Sequence, residues 1–550
     1  MDWLFVWVLL GVTALLGAYF LWDVRHRQRV LARRVRESFG KAPADGAPRA
    51  ATGQYWALVG AAARPTDVDA RTWDDLAMDE VFARLNTCQS AVGEQYLYAA
   101  LHRPAAPADI ARRQALRQAL AESGLCFALR LRLAQLGKLR GGNFAKLLAG
   151  PPPQPGRPWL YRVCALLPWL ALPGVFFGGT GAMFFLGAVC CNAVLYYRAK
   201  QFLEHHLETL GYLAQLLDAA RDTAKLTQTA APEFAARLTA ALAPLKAVSG
   251  PLSYLLHPAA GDADVLLEFV NMVTLLPILH YLRAAGRLEA RRDKLAEVCQ
   301  LVGEAELAAA ACSFAASVPV CCAPAFHSQR ALRFAGLVHP LLAESAVANS
   351  ACFSGPVLLT GSNASGKSTF LKAMAVNAIL AQTVGLCTAE QFSLFPGPVV
   401  TSMAVADDVT AGESYFVAEL KSLRRVLALA ESGPRPLCFI DEILKGTNTV
   451  ERIAASAAVL RQLAGADCLC FAATHDGELT RMLAAVYENL HFEETVTAQG
   501  VTFDYLLRGG PAATRNAIAL LAQMEFPPAV TQQARRTAAA FDETGVWPLE

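Results

Sequence analysis

The sequence has little net charge and no cysteine pair at the spacing of a metal or redox site. Its 49 basic and 47 acidic residues give a formal net charge of +2, so no overall field would draw the chain onto nucleic acid. None of the 14 cysteines stands at the C-x-x-C spacing, which argues against a zinc or dithiol site and favours reduced, mostly buried thiols. A sustained heptad pattern is also absent, which argues against a long coiled coil.

The composition indicates a soluble body that carries a few membrane segments. Of the 550 residues, 54% are hydrophobic and 17% are charged. That is too apolar for an ordinary soluble protein and too charged for a transporter with many spans. The length allows two or three cooperative units.

The N-terminus predicts a membrane anchor over residues 1–24. The run from Trp3 to Trp22 has no charge and is about as long as a helix that crosses the hydrocarbon core. Six arginines follow it between Arg25 and Arg36, so the positive-inside rule places the N-terminus outside and the body in the cytoplasm. A cleaved signal peptide is the alternative, but its basic residues would precede the apolar run. Residues 25–72 are rich in small residues and predict a linker.

A second uncharged stretch, residues 163–197, predicts a membrane hairpin over residues 158–198. Arginine or lysine flanks both ends, which places both ends in the cytoplasm. Glycines near residue 180 mark a turn, and Pro168 and Pro173 would kink the first arm. A re-entrant loop or a buried soluble hairpin remains the alternative. The shorter run 269–282 predicts a core helix.

The remaining pattern predicts an α + α/β fold. Residues 73–331 show helical stripes and form a predicted helical domain into which the membrane hairpin is inserted. Residues 332–550 alternate short apolar strands, at 356–360, 436–440 and 468–473, with helices. This alternation predicts an α/β domain with a mostly parallel sheet.

A complete P-loop pattern lies between the first of these strands and a helix. Glycines of such a loop let backbone N–H groups surround phosphate, and the helix N-terminus adds positive potential. Lys367 is predicted to reach the β- and γ-phosphates of ATP, and Ser368 to bind Mg²⁺. The predicted nucleotide-binding residues are Gly361, Ser362, Asn363, Ala364, Ser365, Gly366, Lys367, Ser368 and Thr369.

Two further strand ends supply candidate catalytic groups. Asp441 ends an apolar strand and is predicted to bind the metal, and Glu442 after it is the predicted general base. Alternatively, both cap the next helix or pair with Lys445. His475 ends another strand and is a candidate sensor of the γ-phosphate or polariser of the water.

In this order the motifs resemble those of the MutS family of mismatch-repair ATPases. The similarity covers the P-loop with its Asn, a signature loop over residues 407–416 followed by Glu419, the segment 441–449, the segment 473–475 and the C-terminal segment from Arg515. It is weaker in the helical region. The resemblance implies an ATPase that uses ATP and Mg²⁺ and forms a homodimer through its ATPase domains, with Ser414 near the γ-phosphate bound by the other subunit. DNA is a candidate ligand, and no small-molecule substrate other than ATP is implied.

The sequence also departs from that family. An anchor and a linker replace the mismatch-recognition domain, so mismatch reading is not expected. Val338 stands where the family usually has Arg, and Leu444 and Lys445 replace Gly and Arg. The expected location is the inner membrane of a bacterium, with the ATPase domain in the cytoplasm. An ABC-like or SMC-like membrane ATPase, or a nucleotide-dependent scaffold, are the alternative functions.

Overall fold

The computed structural model describes residues 3–44, 46–138, 144–248, 252, 263–342, 346–362, 365–403, 415–445, 448–497, 500–512, 518, 521, 524 and 526–548. The chain divides into two units. The first contains Met1–Ala61, Asn86–Ala99 and Ala115–Ser313, and the second contains Ala62–Leu85, Ala100–Gln114 and Phe314–Glu550.

Helices account for nearly all regular structure before residue 320. In chain order they are α1 Trp3–Glu37, α2 Gln54–Val59, α3 Ala70–Asp75, α4 Met78–Leu85, α5 Ala91–His102, α6 Pro107–Glu122, α7 Leu125–Leu136, α8 Phe144–Ala149, α9 Pro158–Cys164, α10 Leu167–Ala171, α11 Gly179–Thr227, α12 Pro232–Leu242, α13 Ala263–Thr274, α14 Leu276–Glu289 and α15 Arg292–Ala315. Leu172–Phe177 and Ala243–Leu245 are short 3₁₀ helices.

Helix α1 continues well beyond the apolar run with which it begins. Its last turns carry the arginines that follow Trp22, and Arg33 pairs with Glu37 one turn later at 2.7 Å. The sequence predicts a linker over residues 25–72, and within these residues the structure has helix over residues 25–37 and 54–59. A helix that is already nucleated in the apolar run extends readily through Arg- and Leu-rich sequence.

The stretch around residues 158–198 folds as a helical hairpin that turns at Gly178, whose φ is 114°. Its first arm is broken into α9, α10 and a 3₁₀ helix, since each proline lacks the N–H that a continuous helix requires. The second arm is the start of α11, which runs without a break for 49 residues. Pro158–Phe177 and Gly179–Glu204 both have a length and an apolar composition suited to crossing a membrane.

Helix α15 is equally long and apolar, but it lies inside the first unit. In its most apolar window 83% of the helix is buried in the protein. Val298, Leu301 and Val302 belong to the same buried cluster as Leu213 and Leu216 of α11. This helix is therefore a core helix of the first unit.

The run 269–282 is not one helix. It is divided between α13 and α14 at Leu275, which adopts a left-handed conformation with φ 54°. Ile278, Tyr281 and Leu282 are buried, as expected for a core helix, whereas Phe269 and Val270 are exposed. Pro277 explains the break because it has no N–H to continue the hydrogen bonds of α13.

The second unit carries the strands and the remaining helices. In chain order they are β1 Ala325–Phe326, β2 Leu332–Leu337, β3 Asn349–Phe353, β4 Val357–Thr360, α16 Lys367–Thr383, β5 Gln391–Leu394, β6 Val399–Ser402, α17 Tyr415–Ser432, β7 Leu437–Asp441, α18 Thr449–Gly465, β8 Leu469–Ala473, α19 Gly477–Met482, β9 Glu488–His491, β10 Glu494–Thr497, β11 Gly500–Phe503, β12 Arg508–Gly509 and α20 Pro528–Thr544.

Six of these strands form the main sheet, in the order β12-β9-β4-β8-β7-β6. All neighbours are parallel except β12, which pairs antiparallel with β9 at the edge. The predicted strands at 356–360, 436–440 and 468–473 correspond to β4, β7 and β8. A second sheet has the order β1-β5-β2-β3, and β10 pairs with β11. The fold therefore combines a helical region with an α/β region, as predicted.

The central strands are apolar because both faces of the sheet are covered. Every residue of β4, β7 and β8 is buried, and Phe439 of β7 stacks on Phe471 of β8 at 5.1 Å between ring centroids. Helix α16 is buried along almost its whole length. Since parallel strands end at the same edge, the residues that follow β4, β7 and β8 meet there.

The two units do not coincide with the predicted domains 73–331 and 332–550. Residues 62–85 and 100–114 group with the second unit. Asp75 at the end of α3 is one cause: its buried carboxylate accepts hydrogen bonds from the Thr401 hydroxyl at 2.7 Å and the Met403 N–H at 3.0 Å. It also pairs with Arg71 at 2.9 Å. A helical pattern in the sequence does not reveal which sheet a short helix joins.

We expect Asp75→Ala to loosen strand β6. The substitution leaves a buried hydroxyl and a buried N–H without an acceptor, at a cost of about 3 kcal/mol. The measurement is deuterium uptake of a peptide covering residues 399–403 in the full-length protein. Asp74→Ala is the matched control because Asp74 is the exposed neighbour. Equal uptake in the two variants would show that Asp75 does not hold β6.

Candidate active site

The predicted P-loop joins the end of β4 to the start of α16. Gly361 and Gly366 have φ values of 142° and 104°, which residues with a side chain rarely adopt. A Cβ atom at Gly361 would lie 2.7 Å from the carbonyl oxygen of Phe492, so only glycine fits there. Helix α16 begins at Lys367, and its free N–H groups therefore face the loop. Asn363 and Ala364 lie outside the described residues.

Lys367 is held inside this loop. Its Nζ donates hydrogen bonds to the carbonyl oxygens of Gly361 at 2.8 Å and Ser362 at 2.7 Å. Burial lowers the pKa of Lys367, whereas the nearby carboxylates of Asp441 and Glu442 act in the opposite direction. The ammonium group is thus positioned at the centre of the loop, where a phosphate would be surrounded by N–H donors.

Asp441 ends strand β7 beside the first turn of α16. Burial raises the pKa of this carboxyl, and a hydrogen bond from the Ser368 hydroxyl acts against the rise. Its Oδ1 atom is buried and accepts no hydrogen bond from the part of the chain that the structure describes. A carboxylate oxygen and a hydroxyl that lie together in this way fit Mg²⁺, which prefers oxygen ligands and retains water.

Glu442 lies next to Asp441 and faces two partners. Its Oε1 is 2.8 Å from Nε2 of His475, which follows the end of β8, and its Oε2 pairs with Lys445. Burial raises the pKa of Glu442, but the contacts with Lys445 and His475 outweigh burial and hold the pKa below its usual value. The carboxylate is therefore ionised at neutral pH, as a general base requires. The pairing with Lys445, an alternative left open by the sequence, is present together with the contact to His475.

The backbone around Glu442 is unusual. Glu442 and Leu444 both have positive φ, 54° and 58°, a conformation that costs about 1 kcal/mol or more for residues with a side chain. Buried Glu419 of α17 stabilises this turn by accepting hydrogen bonds from the N–H groups of Leu444 and Lys445. Sequence reasoning assigned Glu419 no role beyond its place in a motif, since only the fold brings α17 against the turn.

Lys367, Ser368, Glu442 and His475 line one cavity of about 540 Å³, a volume typical of small-molecule sites. One wall is polar and consists of the segment 365–369 with Glu442 and His475. The lining also includes apolar and aromatic residues, among them Val338, Phe492 and Tyr505. Neither Phe492 nor Tyr505 was predicted, because both follow the recognisable motifs and approach the loop only through β9 and the segment after β11.

Comparison with known proteins agrees with this arrangement. The family model described as MutS domain V matches residues 357–542. The segment that carries the site is thus recognised as one domain. The C-terminal domain belongs to the MutS family.

Curated relatives match the same part of the chain. The DNA mismatch repair protein MutS of one Thermus thermophilus strain is 32% identical over 187 residues, which are 34% of this chain and 23% of that protein. The Natronomonas pharaonis protein of the same name is 34% identical over 183 residues, 32% of this chain and 21% of that protein. The chain therefore spans less than a quarter of the length of the relatives it matches.

The MutS-type domain brings together most of the residues predicted from its motifs. Gly361, Ser362, Gly366, Lys367 and Ser368 lie in the loop, and the groups after β7 and β8 adjoin it. Other predicted positions lie outside the described residues. These are Asn363, Ala364, Ser414 with the rest of 407–414, Gly446, Thr447, and residues 515–517, 519, 520, 522 and 523.

Two residues that depart from the MutS pattern, Val338 and Lys445, make contacts in the structure. Val338 lines the cavity, and its carbonyl oxygen accepts hydrogen bonds from Asn377 and Thr388. Lys445 reaches Glu442, as described above. Residue 338 therefore lies in the cavity lining, and Lys445 is a cation that contacts Glu442.

Proposed function

We propose that this chain is a membrane-anchored, ATP-hydrolysing switch of MutS type. The observation that carries the proposal is the convergence of Lys367, Ser368, Glu442 and His475 on one cavity, with Asp441 hydrogen-bonded to Ser368 behind it. Loop, metal ligands and base are the parts that phosphoryl transfer to water requires. They come from three neighbouring parallel strands, so the fold itself assembles them.

The proposed chemistry assigns one role to each group. The N–H groups at the start of α16 and Lys367 bind the β- and γ-phosphates and orient ATP. Ser368 and Asp441 hold Mg²⁺, which when bound neutralises charge on the phosphates. Glu442 accepts a proton from the attacking water, and His475 fixes the orientation of the Glu442 carboxylate through their hydrogen bond.

The switch is proposed to act as a homodimer. By the MutS resemblance, Ser414 of one subunit approaches the γ-phosphate bound by the other. Binding of ATP would then favour the closed dimer, and hydrolysis would reopen it, because the γ-phosphate is needed for the contact between subunits. Glu419 supports this proposal, since it links α17, which directly follows Ser414, to the turn that carries Glu442.

Attachment to the inner membrane of a bacterium is supported by the exposed apolar surface of the first unit. Phe176 and Phe177 at the hairpin turn are 85% and 86% exposed, and Phe184 is 77% exposed. A soluble protein rarely presents so many large apolar side chains together. With α1 as a further anchor, the arginines after Trp22 support a cytoplasmic location of the ATPase domain by the positive-inside rule.

DNA is the proposed macromolecular ligand, because the matched relatives are named as DNA mismatch repair proteins. Recognition of mismatches is not part of the proposal, since the match covers only residues 357–542. Binding through the DNA backbone would require local rather than global positive charge.

The proposal predicts Mg²⁺-dependent ATP hydrolysis and ATP-dependent DNA binding. Full-length protein in detergent would be assayed for phosphate release and for retention of duplex, branched and single-stranded DNA across salt concentrations. A steep decrease in affinity with salt is expected if phosphates are contacted. If none of these DNAs is retained, DNA is not a ligand of this protein. Phosphate release would then be the measurement that tests the ATPase assignment.

A nucleotide-dependent scaffold is the second candidate. The contact of Lys445 with Glu442 favours it, because a carboxylate oxygen paired with a cation is a weaker base. A slow scaffold would retain ATP and release almost no phosphate.

A further inference from the structure

The break between α13 and α14 is closed by a side chain from α11. In a continuous helix the carbonyl oxygen of Val273 would accept a hydrogen bond from residue 277, but Pro277 has no N–H to donate. Asn192 supplies the missing donor: its Nδ2 lies 2.6 Å from the Val273 oxygen, and the Asn192 side chain is completely buried. This hydrogen bond thus joins α11 to α13 and α14 at the break between them.

Two contacts fix how α13 lies along α11. Lys200 pairs with Glu268 at 2.8 Å, and Asn192 contacts Val273. Helix α13 therefore runs antiparallel to α11, and its C-terminal end points toward the hairpin turn at Gly178. Arg198 and Lys200 mark the charged end of the apolar stretch. Asn192 is six residues further in, so Val273 lies about 9 Å inside the apolar zone.

The outer face of α13 is apolar on either side of Glu268. Leu267, Phe269 and Val270 are 37%, 58% and 41% exposed. The Thr274 hydroxyl at the break donates to the Val270 carbonyl at 2.6 Å, and Leu275 N–H donates to the Asn271 carbonyl at 2.9 Å. The Oδ1 of Asn192 is buried and accepts no hydrogen bond from the described residues. Broken backbone is tolerated at membrane depth only where the protein satisfies its hydrogen bonds in this way.

We propose that α13 and α14 form a re-entrant segment whose tip, residues 273–277, enters the cytoplasmic leaflet of the phospholipid bilayer beside α11. The segment rests on the proposed membrane attachment of the hairpin and adds a third membrane-embedded element to it. Lipid acyl chains cover Phe269 and Val270, because both are exposed apolar side chains between Glu268 and the embedded Val273, on a helix that packs along the apolar stretch of α11. The pair Lys200 and Glu268 lies at the level of the headgroups, where charged side chains retain water.

A photo-crosslinking amino acid, benzoylphenylalanine, tests the proposal in the full-length protein reconstituted into vesicles of phosphatidylcholine and phosphatidylglycerol. It is placed in separate variants at Phe269, at Phe176 of the hairpin turn, and at Val450, which is 76% exposed on α18. Lipid adducts are read from the mass shift of the peptide. The Phe269 probe is expected to give adducts about ten-fold above the Val450 probe and comparable with the Phe176 probe.

The outcomes separate this inference from the proposed function. Adducts from Phe176 but not from Phe269 overturn the re-entrant segment and leave the hairpin in place. Adducts from neither position overturn membrane attachment itself. Crosslinks from Phe269 to a second copy of the chain overturn lipid as the occupant of this face.

Asn192 is tested as the residue that positions the segment. Asn192→Leu removes the donor at similar volume, and it is expected to reduce lipid adducts from Phe269 about five-fold while those from Phe176 stay unchanged. Asn192→Gln keeps an amide donor and is expected to restore part of the labelling. Unchanged labelling at Phe269 in Asn192→Leu would show that the segment enters the leaflet without this hydrogen bond, which overturns the role of Asn192.

Discussion

Glu442→Gln is expected to lower the rate of ATP hydrolysis about 10²–10⁴-fold, the usual contribution of a positioned general base. The amide keeps the shape of the side chain and can still bond to His475, but it cannot take a proton from water. ATP binding should be retained because Lys367, Ser368 and Asp441 are unchanged. The variant should therefore accumulate as an ATP-bound dimer, measured by phosphate release together with light scattering in detergent.

Lys445→Ala is the matched comparison for this prediction. It removes the other partner of the Glu442 carboxylate but leaves the base in place, so hydrolysis should persist. Loss of the cation also removes a contact that lowers the pKa of Glu442, and the acidic limb of the rate profile should move to higher pH. Hydrolysis at the wild-type rate in Glu442→Gln would show that another group activates the water.

Lys367→Ala is expected to weaken ATP binding by roughly a hundred-fold, about 3 kcal/mol. The ammonium group is buried beside the loop carbonyls, and its removal leaves the phosphates without their only lysine partner among the residues lining the described cavity. Equilibrium binding of a fluorescent ATP analogue with Mg²⁺ measures the effect. Hydrolysis should fall at least as far, because Lys367 also opposes charge in the transition state.

Lys421→Ala is the control for loss of one positive charge. Lys421 is exposed on α17 in the same unit, and its replacement should leave the affinity within about two-fold of wild type. Circular dichroism should show that Lys367→Ala is folded. If folded Lys367→Ala retains ATP like the control, the loop after β4 is not the nucleotide site.

The chemistry of the site was more predictable from sequence than its surroundings. Lys367, Asp441, Glu442 and His475 each end or begin an element whose type is evident from apolar runs, and parallel strands necessarily bring such ends together. Phe492 and Tyr505, which also line the cavity, come from segments that carry no motif. Glu419 was hidden for the same reason, because its role depends on the packing of α17.

Helical segments were harder to assign. The arginine-rich residues after Trp22 resemble a linker in composition, yet a helix that has already started continues through them to Glu37. Asp75 lies in a helix whose pattern does not differ from that of its neighbours, although its carboxylate binds a strand more than 300 residues away. Leu275 divides a run that looks continuous, and only Pro277 signalled that break.

Helix α11 has a mechanical consequence for the first unit. No proline interrupts its 49 residues, and Leu213 in its second half is buried in the core. About 50 Å of helix separates Leu213 from Gly179, so a tilt of about 5° around Leu213 shifts the far end by about 4 Å. A tilt too small to disturb side-chain packing near Leu213 thus becomes a sideways displacement of Gly178. This displacement is nearly as large as the width of a lipid chain.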